Sequence, residues 1–570
     1  KSLVERQHIL EVPERLDFEG KVVTPFDENA ARNVAKKFVE LGVDSVAIVF
    51  LHSYVNPAHE QKMAAVMREV APNIEVTVSS NLSRELREYE RTSTAVLDAY
   101  IKPLVRKYIG KLQDILSERG FKGLFLMTRS GGGAMTAESS KESPANLILS
   151  GPAGGVLGAS WFSKATGCGD LITIDMGGTS LDASLVVNGE PLTYFDASFE
   201  GLPINLSSLY IHTIGAGGGS LVWIDEGNHL QVGPASAGAD PGPAAYGNGG
   251  KEATFTDAAL HVGYLGNENA LAGTLVLDKA LAAQALKVNS EKLGIDLDEV
   301  ARGVIRISTI KIVGAVRAIT VELGHTPADF SLLSFGGGGG LVGVDVAREL
   351  NIPTVIMPPG PGAFSAFGML MASVQHDFSR TRITLLDSAD LVAINSDIED
   401  MRKQAKAALD KEGFSAAQQH FTQFMDLRYS GQEHSVTLPV SGNIDAKEIA
   451  HMKEIFGEAH ERAYGHTMPD PIELVSLRFS ARGEVEAPEL PFTNSKTERK
   501  PAPSGNRDVY VGGGKRVPYA LYNRDDLAYG DTIHGPAIIN EHTATTVFHE
   551  GDWAELGKYG EIIIHVKKAD

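Results

Sequence analysis

The sequence predicts an α/β fold spread over several domains. Three observations predict it. Helix-like and strand-like segments alternate through the first part of the chain, which points to helices packed on a largely buried sheet. Glycine clusters stand at the ends of strand-like runs across the middle of the chain, separated by ordinary periodic segments. The 570 residues exceed what one hydrophobic core holds, and about three domains are expected at roughly 150 residues each.

In chain order, residues 28–42 have helical spacing and end at a glycine. Residues 43–51, VDSVAIVFL, suit a buried strand. Residues 57–70 read as a helix and 74–78 as a strand. A long helical pattern over 93–119 contains Pro103, so a kink or break is expected there. Residues 123–128 form a strand that enters the glycine run at 131–133. The clusters that follow are SGPAGGVLGA (150–159), DMGGTS (175–180), TIGAGGGS (213–220), SAGADPGPAAYGNGG (236–250) and SFGGGGG (334–340). No fixed-period repeat is present. After Arg380 the texture changes to a helix (389–411), a strand–turn–strand (421–440), a helix (446–463) and a strand (473–485). A proline-rich polar segment (486–507) and short β-runs from 517 complete the chain. From about 385 onward this reads as an α+β or mostly β domain.

Composition narrows the function. Hydrophobic residues make up 43% and charged residues 22%, ordinary for a soluble globular chain. A net charge of -20 argues against nucleic acid or an anionic membrane as partner, since both need basic patches. Cys168 is the only cysteine, which excludes a disulfide framework and a multi-cysteine zinc or iron–sulfur site. A reducing, cytoplasmic compartment is the expectation. No apolar run spans a bilayer, and no secretory signal opens the chain.

The stretch ITIDMGGTSLDASLV (172–186) carries the first chemistry. LITI and LDASLVV are strands joined by a short turn, so a hairpin is expected. It is neither a P-loop nor a dinucleotide fingerprint, because the required GxxxxGK[ST] is absent and no helix follows. It can still hold phosphate. Gly177 and Gly178 let backbone approach an anion, successive N–H groups form a nest, and Thr179 and Ser180 add hydroxyls. Asp175 would repel that phosphate unless a cation lay between them. Mg²⁺ fits, because it keeps waters and takes one or two carboxylates. The plain alternative is a turn shaped by Asp and Gly for geometry alone.

Two further clusters bear on the choice. GAGGGS (215–220) lies between strands LYIHTI and LVWI. FGGGGG (335–340) lies between the strand SLLS and a helix at 341–350. Five consecutive glycines cost backbone entropy on ordering, which a flat ligand face such as adenine or ribose would justify. A hinge between subdomains is the alternative, and the two are compatible.

At this point the chain resembles the A-type subunit of the ATP-dependent hydantoinase/5-oxoprolinase family, within the actin-like ATPases. The residues that carry the resemblance are REYERTSTAVLDAYIKP (87–103), SGPAGGVLGA, DMGGTSLD (175–182), HTIGAGGGS (212–220), VGPASAGADPGPAAYGNGG (232–250), TFTDAALHVGYL (254–265), PPGPGAFSAFGML (358–370), RYSGQEHSVTLPV (428–440) and HGPAIINEHTATTVF (534–548). They cover essentially the whole chain. The resemblance implies two actin-like (ribonuclease H-like) ATPase lobes plus a C-terminal α+β or mostly β domain. It divides the chain into the remainder of an N-terminal domain (1–90), a central ATPase domain (91–385) and a C-terminal domain (386–570). Two departures stand out. The family's first Asp-x-Gly-Gly-Thr hairpin has no counterpart before Asp175, so Lys1 is expected to enter partway through an incomplete N-terminal lobe. The family's Ala, Pro and His near 338–343 are replaced by glycines, Leu and Val.

The resemblance further implies that Asp175, Gly177, Gly178, Thr179 and Ser180 hold the phosphates of ATP and Mg²⁺, or Mn²⁺ in its place, with Asp175 as metal ligand. Gly215, Gly217, Gly218, Gly336, Gly337 and Gly338 line the nucleotide cleft. Candidate catalytic residues are Asp175, Thr179, Asp182 and His212. Against the last stands the commoner structural role of a lone histidine at a strand end. Asp240 and Asp257 are expected as turn and helix-cap residues, and Glu88, Glu90 and Arg91 as a solvated face or a salt bridge. The implied activity is hydrolysis of a cyclic amide (a hydantoin, 5-oxoproline or larger lactam). This subunit phosphorylates the carbonyl oxygen and a B-type subunit completes ring opening in a hetero-oligomer. The alternatives are an ATP-dependent ketone carboxylase subunit and an ATP-gated scaffold.

Overall fold

The computed structural model of the protein describes residues 3–568 other than 195, 196, 200, 269, 271, 272, 489–491, 494 and 498. The chain folds into two compact units, each assembled from three segments. The first comprises 1–153, 193–209 and 372–486, and the second 154–192, 210–371 and 487–570. These compact units are built from interleaved segments, and residues 386–570 divide between them at 486.

In the first unit the expected alternation is present. Helix Glu28–Leu41 is capped by Asp27, whose side chain accepts from the Ala30 N–H, and ends at Gly42 in the left-handed conformation. Strands Ser45–Ile48 and Glu75–Val78 pair in parallel around helix Ala58–Val70. The long helix runs unbroken from Glu88 to Glu118 with Pro103 inside it. Of the kink or break expected there, the break does not occur. Proline removes one hydrogen bond, but the turn before it is pinned by the buried Lys102–Asp98 pair at 3.3 Å and by Leu97, Asp98 and Ala99 in the interior. Arg91, 1% exposed, is not on a solvated face. It lies 3.4 Å from buried Glu60 and donates to Ser79 and to the Phe50 carbonyl. The remainder of this unit is a six-stranded sheet ordered Val436–Val440, Gln419–Tyr429, Ile472–Gly483, Val374–Leu385, Ala134–Thr136, Leu126–Thr128. Helices Leu391–Lys411 and Ala446–Tyr464 bury Ile394, Met401, Met452 and Phe456 in its core.

The second unit is built on a mixed sheet. Its strands are β1 (Leu171–Met176), β2 (Leu181–Val187), β3 (Ile211–Ile214), β4 (Ser331–Phe335), β5 (Thr354–Met357), β6 (Thr532–His534), β7 (Trp553–Leu556) and β8 (Ile562–His565). They lie in the order β3-β2-β1-β4-β5-β8-β7-β6, with Glu190–Pro191 added beside β2. The β1, β4 and β5 strands are parallel and all other neighbours antiparallel. Helices α2 (Leu297–Thr320) and α3 (Gly339–Glu349) pack on the sheet, and α1 (Phe255–Val262) packs on α2, within one apolar core. Helix α1 opens with a capping box in which Thr254 and Asp257 satisfy each other's backbone N–H groups, so Asp257 is a structural residue one turn inside the cap. Asp240 lies in an exposed turn. No helix among the described residues is long and apolar enough to cross a membrane.

Candidate functional site

In sheets of this kind ligands gather where parallel strands end at their carboxyl edge. Here β1, β4 and β5 end together, and each runs into a glycine-bearing loop. Asp175 is the penultimate residue of β1. Residues 172–174 are fully covered, whereas the turn at 177–179 is exposed. The Gly177 N–H donates to the Ser180 carbonyl at 3.0 Å and closes the turn. Among the described residues the N–H groups of Gly178, Thr179 and Ser180 make no backbone hydrogen bond. They are free donors in an exposed turn, the arrangement that attracts an anion.

Two carboxylates stand beside this turn. Asp175 and Asp182 are directly opposite in the β1–β2 register, hence on one face of the sheet. Ser365 donates to Asp175 at 2.8 Å, and Thr213 donates to Asp182 at 2.5 Å. Burial pushes the Asp175 carboxyl above its ordinary range and the Asp182 charge pushes it further, while the Ser365 bond opposes both. Burial likewise raises Asp182, against its bond from Thr213. The two half-buried acids share a face and, among the described residues, have no cationic side chain paired with them, so they could take a cation. Among the described residues no cluster of three or more His, Cys, Asp or Glu could hold a metal alone. Asp175 and Asp182 could supply one or two carboxylates to a divalent cation such as Mg²⁺, whose other positions would go to water.

The loop 215–220 lies directly on this turn. Gly218 and Gly219 donate to the carbonyls of Gly177 and Gly178 at 3.0 and 2.6 Å. A Cβ on Gly217 would fall 2.7 Å from the Gly178 carbonyl, so only glycine permits this stacking. Gly215 packs on Pro234, away from the turn. From the β4 side, Gly338 donates to the Met176 carbonyl at 2.9 Å. The structure therefore brings Asp175, Gly177, Gly178, Thr179, Ser180, Asp182, Gly217, Gly218 and Gly338 around one turn.

Other expected residues have different places. The glycine run at 336–340 is not an open ligand face. Helix α3 already begins at Gly339. Cβ atoms on Gly336, Gly339 and Gly340 would meet Asp175, Ser334 and the Thr545 carbonyl at 2.5, 2.8 and 2.4 Å. Only Gly337 is exposed. The run serves mainly to seat α3 on the protein itself. His212 pairs with Ala183 on β2, so it occupies the face opposite to Asp175 and Asp182. Sequence reading missed Ser365 and Thr213 as partners of the acids. Ser365 lies inside the PPGPGAFSAFGML motif, but its link to Asp175 spans 190 residues. It is placed by helix Phe364–Leu370, which crosses helix Ala153–Thr166 with almost no gap. A Cβ on Gly368 would fall 1.7 Å from the Gly154 carbonyl and 2.6 Å from the Gly158 nitrogen. The SGPAGGVLGA cluster is thus a helix-packing device.

Comparison with known proteins follows the same lines. Residues 91–378 match the hydantoinase/oxoprolinase description, 1–71 its N-terminal region and 387–569 its C-terminal domain. An uncharacterized protein of Methanocaldococcus jannaschii is 38% identical over 574 residues, covering 98% of this chain and 82% of its own. The acetophenone carboxylase gamma subunit of Aromatoleum aromaticum is 29% identical over 589 residues, covering 99% and 79%. The crystal structure of the ATP-dependent caprolactamase from Pseudomonas jessenii superposes with a TM-score of 0.90 at 31% identity, over 97% of this chain and 81% of that one.

Proposed function

The chain belongs to the hydantoinase/oxoprolinase family, and on that premise we propose that it uses ATP to phosphorylate the carbonyl oxygen of a cyclic amide, a B-type partner subunit completing ring opening. The observation that carries this reading is the Asp175–Asp182 pair beside a turn of free N–H donors. The mixed sheet that bears them supports an actin-like ATPase lobe. Mg²⁺, when bound, would supply charge neutralisation for the phosphates. Asp175 and Asp182 would hold it, with Ser365 and Thr213 fixing the two carboxylates. The amides of 178–180 with the Thr179 hydroxyl orient the γ-phosphate, which suits a transfer that depends on positioning and electrostatics. His212, on the far face, has no part in this step.

The chemistry explains the need for ATP. Nitrogen donation makes an amide carbon a poor electrophile, and small unstrained rings reclose. Attack of the amide oxygen on the γ-phosphorus expels ADP and makes the carbon electrophilic. Water then adds at that carbon, the C–N bond breaks with the proton passing to nitrogen, and the acyl phosphate takes a second water to release phosphate. The acetophenone carboxylase relative favours a second reading, in which an enolate oxygen and bicarbonate are the phosphoryl acceptors.

One experiment separates them. Phosphate release from ATP is measured on the chain purified with its partner, with hydantoin, 5-oxoproline or caprolactam, and separately with acetone or acetophenone plus bicarbonate. Stimulation by a cyclic amide, abolished in Asp175→Ala, is the expected result. Stimulation by ketone plus bicarbonate alone moves the protein to the carboxylase reading. No stimulation by any of them leaves an ATP-gated scaffold.

A further inference from the structure

A cleft of about 480 Å³ opens in the second unit, lined by α2, the end of α3 and strands Gly505–Gly512 and Lys515–Asn523. It lies at the other end of α3 from the Asp175 turn: α3 starts at Gly339 beside that turn, and its Asp345, Arg348 and Glu349 line the cleft. Part of its polar lining is already committed. Arg348 forks onto Asp552 at 2.8 and 2.7 Å, His549 bridges Asp345 and the Tyr519 hydroxyl at 2.9 Å each, and Tyr510 donates to Glu299 at 2.6 Å.

The rest is unspent. Arg302 and Arg306, one turn apart on α2, form no direct ion pair among the described residues, although the Arg302 charge also acts on Asp345 and Glu299. Arg302 lies close against Gly512, where a Cβ would fall 1.9 Å from its Nη1. Glu349 and Glu550 likewise have no partner among the described residues. Tyr264 also lines the cleft, and its hydroxyl makes no hydrogen bond to another described residue. Val262, Ile305, Val511 and Val517 add apolar wall. Two guanidinium groups and two carboxylates with no direct ion pair among the described residues, beside an apolar wall in a cleft of ligand size, match a molecule with a carboxylate, an ammonium and an alkyl chain.

We propose that this cleft is a second ligand site that takes a linear amino acid, its carboxylate on Arg302 and Arg306 and its ammonium on Glu349 or Glu550. The choice of ligand rests on the cyclic-amide reading, because opening a lactam yields such an amino acid. Arginine pairs suit carboxylates through forked N–H donors, and Tyr264 supplies a further hydroxyl.

The test is calorimetric titration of the purified chain with 6-aminohexanoate and with glutamate, and with hexanoate and hexylamine as ligands lacking one end. Saturable binding of at least one amino acid is expected, with each half-ligand and the Arg302→Gln/Arg306→Gln double variant at least ~10-fold weaker, about 1.4 kcal/mol. Both arginines are exposed, so the double variant should melt as the parent does, and Asp175→Asn should bind the amino acid unchanged. Absence of binding by either amino acid overturns the proposal, as does binding that survives loss of both arginines or is matched by hexanoate. Arginine-dependent binding in a protein whose ATP cleavage ignores every cyclic amide upholds the site and discards the activity. Lactam-stimulated cleavage without amino-acid binding does the reverse.

Discussion

Replacing Asp175 by Asn should make the metal-free protein more stable while abolishing ATP cleavage. Asp175 is half-buried, faces Asp182 across the hairpin and receives one hydrogen bond, from Ser365. Asparagine is nearly isosteric and its carbonyl still accepts that bond, so the substitution deletes charge and little else. The sign follows from the raised carboxyl. A folded-state value above the ordinary 3.8 means that the folded chain holds this proton more tightly than the unfolded chain does. The group's favourable contribution is complete below 3.8 and is lost as pH rises through the folded value. At neutral pH the ionised form therefore burdens the fold by about 1–3 kcal/mol, the desolvation cost of an under-satisfied buried group. At about 2–4 °C per kcal/mol for a domain of 150–250 residues, Asp175→Asn should raise the melting midpoint by several degrees at pH 7 in EDTA. The gain should shrink as pH approaches 4. Added Mg²⁺ should stabilise the parent and leave the variant unmoved. A variant that melts at or below the parent at pH 7, or whose advantage does not change with pH, would refute the reasoning.

Three other substitutions probe the scaffold. Gly368→Ala drives a Cβ into the backbone of 154 and 158; differential scanning calorimetry should show a loss of about 3 kcal/mol, at the upper end for overpacking, together with impaired ATP cleavage as Ser365 moves off Asp175. Gly217→Ala displaces the backbone at 178–179, and should raise the ATP concentration needed for half-maximal phosphate release at least ~10-fold, about 1.4 kcal/mol of lost binding, with a smaller effect on melting. Arg129→Met should destabilise the first unit by about 3–5 kcal/mol, the cost of stranding a buried charge, seen as a lower urea midpoint. Burial alone would raise the Asp377 carboxyl, but the Arg129 charge and bonds from Gln375 and Ser480 hold it low, so the parent's benefit should persist at neutral pH and fade as pH drops through that depressed value.

The hairpin was readable because its information is local. Two strands, a turn and an acid lie within seventeen consecutive residues, and each element states its own preference. The same holds for the helices with Asp caps and glycine ends, such as 28–41. What was not readable depends on distant neighbours. A glycine required by a ligand and one required by another strand look alike in sequence, and for Gly336 and Gly340 the demand comes from Asp175 and Thr545. Ser365 could not be assigned to Asp175, because a 190-residue separation carries no periodic signal. His212 stood beside the right residues in sequence but alternates onto the wrong face, a consequence of the two-residue strand period. Pro103 was weighed by local cost alone, whereas the packing of the flanking turns outweighed it.

The placement of β8 has a consequence for how the protein is made. β5 pairs in parallel with β4, but its other edge is covered only by Ile562–His565. Its partner is therefore synthesised on the order of 200 residues later, which at ~5–20 residues per second takes roughly 10–40 s. Throughout that interval Val355 and Ile356, fully interior in the finished molecule, sit on an unpaired strand edge of the kind that recruits other chains. The nascent chain should depend on chaperones that shield such edges. Slowing translation between 360 and 560 should increase aggregation, while leaving the melting temperature of the molecules that do fold unchanged.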